Sequence, residues 1–249
     1  MMVLRSALFS LSMILSTIVA ALGLILMAPT PFVWRARLAA GYAAYNVAML
    51  KWLCGIDYQV EGRENIPAGP AIIFAKHQST WETFALQVLF PPQCWVLKRE
   101  LMWLPFFGWG LAMLKPIAID RSSGRKAVKQ IVEQGVQRIR DGIWVVIFPE
   151  GTRVPPGVRK RWGVGGSLLA AKAGVPVVLV AHNAGEFWGR GSFLKRPGTI
   201  RVVIGEPMPT EGLSASEINQ RGEAWMEETM ERISSVPVTE EYDPAKHRK

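Results

Sequence analysis

The sequence predicts an α/β protein with a mixed, largely parallel sheet flanked by helices, preceded by an N-terminal helical membrane-anchoring segment. Three observations predict this architecture. Short β-branched runs alternate with helical stretches beyond residue 55, an uncharged apolar run occupies residues 7–28, and the 249 residues suffice for one sizeable α/β core. We therefore expect a helical anchor at residues 1–55 and a single α/β domain at residues 56–249.

The anchor prediction rests on residues 7–28, ALFSLSMILSTIVAALGLILMA, which Pro29 and Pro31 follow. At about 1.5 Å per residue, a helix of this length crosses a hydrocarbon layer of about 30 Å. A cleaved signal peptide is the alternative, but its apolar core is usually only about 7–15 residues long, and no small-x-small cleavage site closes this run. The sequence favours an anchor, which either spans the bilayer or re-enters one leaflet.

The next stretch, residues 32–53, mixes apolar side chains with aromatic and cationic ones, namely Trp34, Arg35, Arg37, Tyr42, Tyr45 and Lys51. This mixture is typical of a helix in the membrane interface, and a helix packed in the core fits it equally well. Arg35 and Arg37 after the apolar run outnumber Arg5 before it. This excess is a weak positive-inside signal, which predicts a cytoplasmic α/β domain.

Composition indicates contact with a bilayer and with anionic partners. Hydrophobic residues make up 49% of the chain, mean hydropathy is +0.16, and ten tryptophans supply rings suited to a membrane–water boundary. The formal net charge of +9 favours lipid headgroups, phosphorylated substrates or nucleic acid. Cys54 and Cys94 have no metal-ligand or CxxC spacing, so the sequence predicts no metal site and no disulfide framework.

Six short apolar runs predict buried strands. They are AIIFAK at 71–76, CWVLKR at 94–99, PIAID at 116–120, IWVVIF at 143–148, PVVLVAH at 176–182 and TIRVVIG at 199–205.

Three helices are predicted between and after these strands. The clearest follows Ser122–Ser123 and ends before Gly142, because one helical face carries Val128, Ile131, Val132, Val136 and Ile139. A second covers residues 168–172 and ends at Gly174. A third runs from about residue 216 to residue 233, with inward-facing Ile218, Trp225 and Ile233.

The stretch AKHQSTWETF, residues 75–84, places His77 just past a predicted strand, where ligand sites of α/β sheets gather. Histidine accepts a proton near neutral pH, and a carboxylate on its other ring nitrogen would orient it. Glu82 can supply that carboxylate if His77 lies in a loop and Glu82 in the first turn of a helix. The alternative is structural, since Ser79 to Glu82 matches the S-x-x-E capping box.

The stretch VVIFPEGTR, residues 145–153, predicts a tight polar turn at the same sheet edge. Arg153 is suited to a phosphate because its guanidinium offers paired donors, and Gly151 lets a ligand approach the backbone. A plain turn with a solvated arginine is the alternative. The cationic run at residues 159–161 is either a binding loop for anionic lipid or cofactor phosphates, or merely a basic loop.

A third polar strand end is KPIAIDRSSGR, residues 115–125. Asp120 and Arg121 follow the apolar strand, and Arg121 lies just before a helix start, where backbone amides also favour an anion. A structural Asp120–Arg121 turn fits the same residues.

Together, His77-Gln-Ser-Thr-Trp-Glu82, Ile117-Ala-Ile-Asp120-Arg121, Phe148-Pro-Glu150-Gly-Thr-Arg153 and Val175-Pro176-Val177-Val178 resemble, in order, the four motifs of the glycerolipid acyltransferase family. The resemblance covers roughly residues 55–210. The first and third motifs together are highly specific, whereas the second and fourth are weak alone.

The resemblance implies acyl transfer from a thioester, acyl-CoA or acyl carrier protein, to the sn-2 hydroxyl of lysophosphatidic acid, with no further cofactor. It implies His77 as general base oriented by Glu82, and substrate binding by Arg121, Glu150, Gly151, Thr152 and Arg153, with Glu150 on a substrate hydroxyl. Membrane lipids are then the natural partners. The expected location is the inner (cytoplasmic) membrane, with the catalytic domain on its cytoplasmic side.

The chain departs from the family pattern at two positions. Glu82 stands where the first motif usually ends in Asp, and Lys76 precedes the histidine where Asn is frequent. Glutamate has one more methylene than aspartate, so its carboxylate must reach the imidazole by a different rotamer.

Other readings of the sequence remain open. A family member with another acceptor, such as a lyso-ornithine lipid or glycerol 3-phosphate, fits the same motifs. A lipid hydrolase is less favoured because no G-x-S-x-G motif is present. A non-enzymatic membrane adaptor would use only the basic surface. Nucleic acid is not an expected partner, since the cations are scattered and no recognition motif is present.

Overall fold

The computed structural model describes residues 1–247 and shows a seven-stranded sheet between two layers of helices. The strands are β1 Ile56–Glu61, β2 Ile72–Ala75, β3 Gln93–Lys98, β4 Ile117–Ile119, β5 Trp144–Ile147, β7 Val177–His182 and β8 Gly198–Ile204. Their order across the sheet is β1-β8-β7-β2-β5-β3-β4. Only the β7–β8 pairing is antiparallel within it, which confirms a mixed, largely parallel sheet.

The helices are α1 Met2–Leu26, α2 Phe32–Cys54, α3 Trp81–Leu89, α4 Phe107–Ala112, α5 Arg125–Arg140, α6 Val164–Ala173, α7 Ala215–Ile233 and α8 Pro244–His247. Two short strands, β6 Val158–Arg159 and β9 Glu240–Glu241, pair separately. The three helices predicted from the α/β part of the sequence are confirmed as α5, α6 and α7. α5 begins at Arg125 instead of directly after Ser122–Ser123, because residues 121–123 form a 3₁₀ turn.

The six predicted strands are confirmed within one or two residues at each end, whereas β1 was not predicted. Its sequence IDYQVE has no continuous apolar run, and only Ile56 is fully buried. β1 lies at an edge of the sheet, where a strand pairs with only one other strand and its polar side chains are exposed to water.

Alternation along β2 decides which helical layer each following residue faces. Ile72 and Phe74 pack with the α5–α7 layer, whereas Ile73 and Ala75 pack with the α2–α3 layer. Continuing this alternation, Lys76 faces the α7 layer. His77 faces α3, where Glu82 lies.

The N-terminal helices α1 and α2 form an antiparallel hairpin. The Thr17 hydroxyl lies 2.7 Å from the Tyr42 hydroxyl, and Ser12 lies 2.9 Å from Tyr45. One face of α2, carrying Ala43, Asn46, Val47 and Leu50, is buried, so core packing is the right interpretation for that face. Its other face leaves Trp34 and Trp52 exposed.

α1 also lies against the α/β domain. The Phe9 ring meets Trp188 edge to face at 5.5 Å, and the buried Lys195 donates from its backbone to Ser6 and from Nζ to Ser10. α1 is the one helix within residues 1–247 that is long and apolar enough to cross a membrane. Only 17% of its most apolar window is buried. It is therefore a candidate membrane anchor with one face docked on the protein.

Candidate active site

His77 and Glu82 meet at the carboxyl end of the central strand β2. Nδ1 of His77 lies 2.8 Å from Oε1 of Glu82. The pairing works because His77 lies in the loop after β2 and Glu82 in the first turn of α3, the arrangement required by their five-residue separation. The longer glutamate side chain thus reaches the imidazole.

Glu82 also caps the N-terminal end of α3, so its two interpretations, as the partner of His77 and as a capping residue, are compatible. Its carboxylate accepts hydrogen bonds from the backbone N–H groups of Gln78 and Ser79. The Ser79 hydroxyl accepts from the N–H of Trp81, giving a variant of the capping box. Capping fixes the carboxylate, and the fixed carboxylate orients His77.

The charges of the pair follow from burial. Burial raises the pKa of the Glu82 carboxyl, but the hydrogen bond from His77 and the nearby His182 outweigh it, and the pKa lies below its ordinary value. Burial is the main cause that lowers the pKa of His77, and Glu82 opposes it only in part. Neutral His77 therefore donates its Nδ1–H to ionised Glu82 and keeps a lone pair on Nε2.

The turn after β5 holds His77 from the other side. The Phe148 ring stacks on the imidazole at 3.8 Å with an interplanar angle of 11°. The backbone N–H of His77 donates to Oε2 of Glu150 at 3.1 Å, and its carbonyl accepts from the N–H of Val154 at 2.7 Å. The two most specific motifs of the sequence are thus bonded directly to each other.

Glu150, which the family resemblance assigns to a substrate hydroxyl, is turned inward. It is 2% exposed, and one carboxylate oxygen pairs with Lys76 while the other accepts from His77. Its backbone carbonyl accepts from Lys160 at 2.5 Å. Glu150 is thus a buried carboxylate whose two oxygens connect its turn to Lys76 and to the backbone of His77.

The rest of the turn lies nearer to solvent. Arg153 makes no ion pair with any residue in 1–247, and its charge is close enough to help lower the pKa of His77. The Thr152 hydroxyl accepts from Arg190 at 3.4 Å. Gly151 has φ +68°, a conformation that favours glycine, and space around its Cα is open. The turn therefore presents an available guanidinium beside His77.

Arg121 lies farther along the same sheet edge, in the 3₁₀ turn after the edge strand β4. Its neighbour Asp120 accepts from the Ser122 backbone and hydroxyl, and pairs with Arg99 at 3.2 Å. Asp120 is thus a structural turn residue, as one of the two interpretations had it. Arg121 is exposed.

Two residues that the sequence did not single out as site residues support the pair. His182, at the end of β7, is buried, donates from Nε2 to the carbonyl of Lys76 at 2.8 Å, and lies 3.9 Å from Oε2 of Glu82. The sequence signal for it was the same as for His77, a histidine closing an apolar strand. Lys76 had a signal too, since a lysine closing a buried strand needs a partner.

A neutral histidine fixed by a buried carboxylate, at the carboxyl edge of a parallel sheet, is the arrangement of enzymes that use general-base catalysis. Comparison with known proteins identifies the particular family. The family model described as Acyltransferase matches residues 57–183. A 1-acyl-sn-glycerol-3-phosphate acyltransferase of Pseudomonas aeruginosa is 50% identical over 210 residues, which cover 83% of this chain and 82% of the relative. The chain belongs to the acyltransferase family.

Two more distant relatives agree. A 1-acyl-sn-glycerol-3-phosphate acyltransferase of Saccharomyces cerevisiae is 30% identical over 203 residues, 79% of this chain and 65% of the relative. The crystal structure of a 1-acyl-sn-glycerophosphate acyltransferase from Thermotoga maritima superposes with a TM-score of 0.78, covering 93% of this chain and 95% of that one at 21% identity. The second comparison bears on the fold alone.

Proposed function

We propose that this protein transfers a fatty acyl group from a thioester donor, acyl-CoA or acyl carrier protein, to the sn-2 hydroxyl of lysophosphatidic acid. The product is phosphatidic acid. The names of the relatives at 50% and 30% identity support this choice of acceptor. The geometry of His77 supports the choice of reaction, because acyl transfer to an alcohol needs a base for the hydroxyl proton.

The main support for the proposal is that the two ring nitrogens of His77 have different hydrogen-bond partners. Nδ1 is held by Glu82, whereas Nε2 makes no hydrogen bond with any residue of the described chain, 1–247. The side chain is 13% exposed, so Nε2 is accessible without being freely solvated. A substrate hydroxyl can therefore reach the nitrogen that carries the lone pair.

In the proposed reaction, Nε2 removes the proton of the sn-2 hydroxyl as its oxygen attacks the thioester carbonyl carbon. The carbon–sulfur bond breaks, and the departing thiolate takes the proton from His77 to become a free thiol. Glu82 stabilises the imidazolium that forms between these steps. General-base assistance of this kind contributes about 10²–10⁴-fold, and fixing the two substrates together contributes further.

Arg153 is proposed to bind the phosphate of the acceptor, with Arg121 assisting from the end of β4, two strands farther along the sheet. The support for Arg153 is an unpaired guanidinium within electrostatic reach of His77. Gly151 and Thr152 shape the same turn. Glu150 is assigned a positioning role, because its carboxylate holds the backbone of His77.

A membrane location suits this chemistry, since acceptor and product both keep acyl chains in a bilayer. The exposed apolar face of α1 supports association with a membrane. We propose the inner membrane of a bacterium, with the catalytic domain on the cytoplasmic side. Because α1 is docked on the domain along much of its length, entry into one leaflet fits better than crossing the bilayer.

Product analysis tests the proposal. Purified protein is given labelled acyl-CoA or acyl carrier protein with lysophosphatidic acid, glycerol 3-phosphate or a lyso-ornithine lipid as acceptor. We expect phosphatidic acid from the first acceptor, and a loss of about 10³-fold or more in the His77→Ala protein at unchanged thermal stability. Free fatty acid without phosphatidic acid would identify a hydrolase, and preferred use of another acceptor would replace lysophosphatidic acid.

A further inference from the structure

The connection between β3 and β4 leaves an unusually apolar surface exposed. Within residues 101–109, hereafter the aromatic segment, the exposed side chains are Trp103 at 67%, Trp109 at 50%, Leu104 at 49%, Phe106 and Phe107 at 38% and Leu101 at 36%. Met102 in the same segment packs against the core, as does the following Leu111, so the segment is folded onto the domain. Exposed apolar surface of this size marks an interaction site.

The aromatic segment leads directly onto the candidate anchor. A Cβ at Gly110, in α4, would lie 3.1 Å from the backbone of Ala21 in α1, so the two helices approach each other closely at this glycine. Exposed Val19, Leu22 and Leu26 lie close to Ala21 along α1. The helix α4, which carries Phe107 and Trp109 of the aromatic segment, therefore packs directly on the candidate anchor.

The chemistry of the segment matches the boundary region of a lipid bilayer. Tryptophan and phenylalanine rings prefer that region, and the Phe106 and Trp109 rings contact each other at 5.3 Å with an interplanar angle of 56°. Arg99 lies over the exposed Trp103 ring at 5.8 Å. Cations beside exposed aromatic rings suit anionic headgroups above an apolar layer.

The position of the segment connects it to the reaction. It begins at the carboxyl end of β3, and β3 runs parallel to β5, which runs parallel to β2. The carboxyl ends of these strands meet at one sheet edge, where His77 also lies. A bilayer bound there would deliver a lipid acceptor sideways to the catalytic edge.

We propose that the aromatic segment is a second membrane-binding element, whose exposed rings insert into the interface of a phospholipid bilayer beside α1. It holds the sheet edge of His77 at the lipid surface, next to the docked helix α1. The role in delivery rests on the proposed acyl transfer, whereas the membrane contact does not.

A fluorophore that reports its surroundings tests the membrane contact directly. Because Cys54 and Cys94 are buried, a nitrobenzoxadiazole label can be attached at Trp103→Cys in the full chain. The matched control is Leu168→Cys, an exposed apolar position on α6 in the other helical layer. The probe is a vesicle of phosphatidylcholine with a minority of phosphatidylglycerol.

We expect the label at position 103 to shift to the blue with vesicles and to be quenched by lipids that carry a shallow quencher, while the label at 168 changes neither way. A label at 103 that stays in water while the protein floats with the vesicles would overturn the proposal. So would a shift that needs acyl carrier protein and not vesicles, since the surface would then bind a protein.

An activity measurement separates membrane contact from catalysis. Trp103, Leu104, Phe107 and Trp109 are changed together to Gln, and the control changes Val164 and Leu168 to Gln. We expect transfer to a long-chain acceptor in vesicles to fall by at least about tenfold, with transfer to a soluble short-chain acceptor unchanged. Equal loss with both acceptors would overturn the proposal. If wild-type protein acylates neither acceptor, the proposed reaction fails while the fluorescence result stands.

Discussion

Two polar turns at the same edge of the sheet differ in how deeply their charged side chains are buried. The turn after the central strand β2 buries Glu82 and leaves His77 13% exposed. The turn after the edge strand β4 leaves the side chain of Asp120 30% exposed, and its partner Arg99, which follows the adjacent strand β3, is 52% exposed. Both turns contain a carboxylate and a cation after an apolar strand, so residue types alone do not distinguish them.

This difference shows that the position of a strand, central or at the edge of the sheet, decides whether the polar side chains that follow it are held in a fixed geometry. A central strand is covered by helices on both faces, so each polar atom after it needs a partner, and the partners hold it in place. At the edge, water competes for the same atoms and screens their charges. Fixed geometry, which catalysis needs, is therefore found at the centre.

Exchanging each carboxylate for its amide gives the sharpest test of this comparison. In Glu82→Gln we expect kcat to fall about 10²–10⁴-fold, because the amide cannot stabilise the imidazolium. Asp120→Asn should stay within about threefold of wild type, since its bonds are solvent-exposed. Steady-state kinetics on both proteins measure the contrast, and similar losses in the two variants would contradict it.

Removing each cation tests the same contrast in stability. Lys76→Met leaves the Glu150 carboxylate buried without its charge partner, and we expect a loss of about 3–5 kcal/mol in the free energy of unfolding. Arg99→Met removes the exposed pair with Asp120 and should cost about 0–1 kcal/mol. Denaturant unfolding of the two variants gives both values.

A double variant keeps this second prediction falsifiable. If Lys76→Met destabilises the protein because the Glu150 carboxylate is left buried without a charge partner, then adding Glu150→Gln should recover part of the lost stability. No recovery would assign the loss to packing of the lysine side chain instead.

Replacing the two arginines that are proposed to bind the phosphate should give a smaller difference between the central turn and the edge turn. Arg153→Ala removes the guanidinium nearest His77, and we expect KM for a phosphate-bearing acceptor to rise about 10–100-fold. Arg121→Ala, at the exposed edge, should raise it only severalfold. A KM for an acceptor without phosphate that rises as much would show that neither residue recognises the phosphate.

The pH dependence of kcat/KM should be the smallest effect. In the proposed reaction the active form of His77 is neutral, and burial lowers the pKa of this residue. Activity should therefore stay flat at neutral pH and fall only well below about 6.5. Glu82 raises the pKa of His77, so Glu82→Gln should move the acid limb to still lower pH. A limb that moves to higher pH in this variant would contradict the assignment.

The parts of the molecule that depend on near neighbours were predictable. The buried strands followed from their β-branched runs, and α5 followed from its helical period. The meeting of His77 with Glu82 was predictable because one loop and one helical turn separate them. The sequence left two alternatives for Glu82, a partner of the His77 ring or a cap of the helix start. The structure shows that its carboxylate makes both kinds of hydrogen bond.

Only the tertiary structure decided the contacts between distant segments. Lys76 and Glu150 lie 74 positions apart, and the histidine closing β7 lies 106 positions from the carbonyl it bonds. The docking of α1 on Lys195 is equally long-range. Such contacts depend on which strands become neighbours and which face each side chain takes. Sequence therefore determined the local elements and the pairing of His77 with Glu82. The packing of the sheet decided that Glu150 contacts Lys76 and the backbone of His77, because a buried carboxylate must find its partners within the protein.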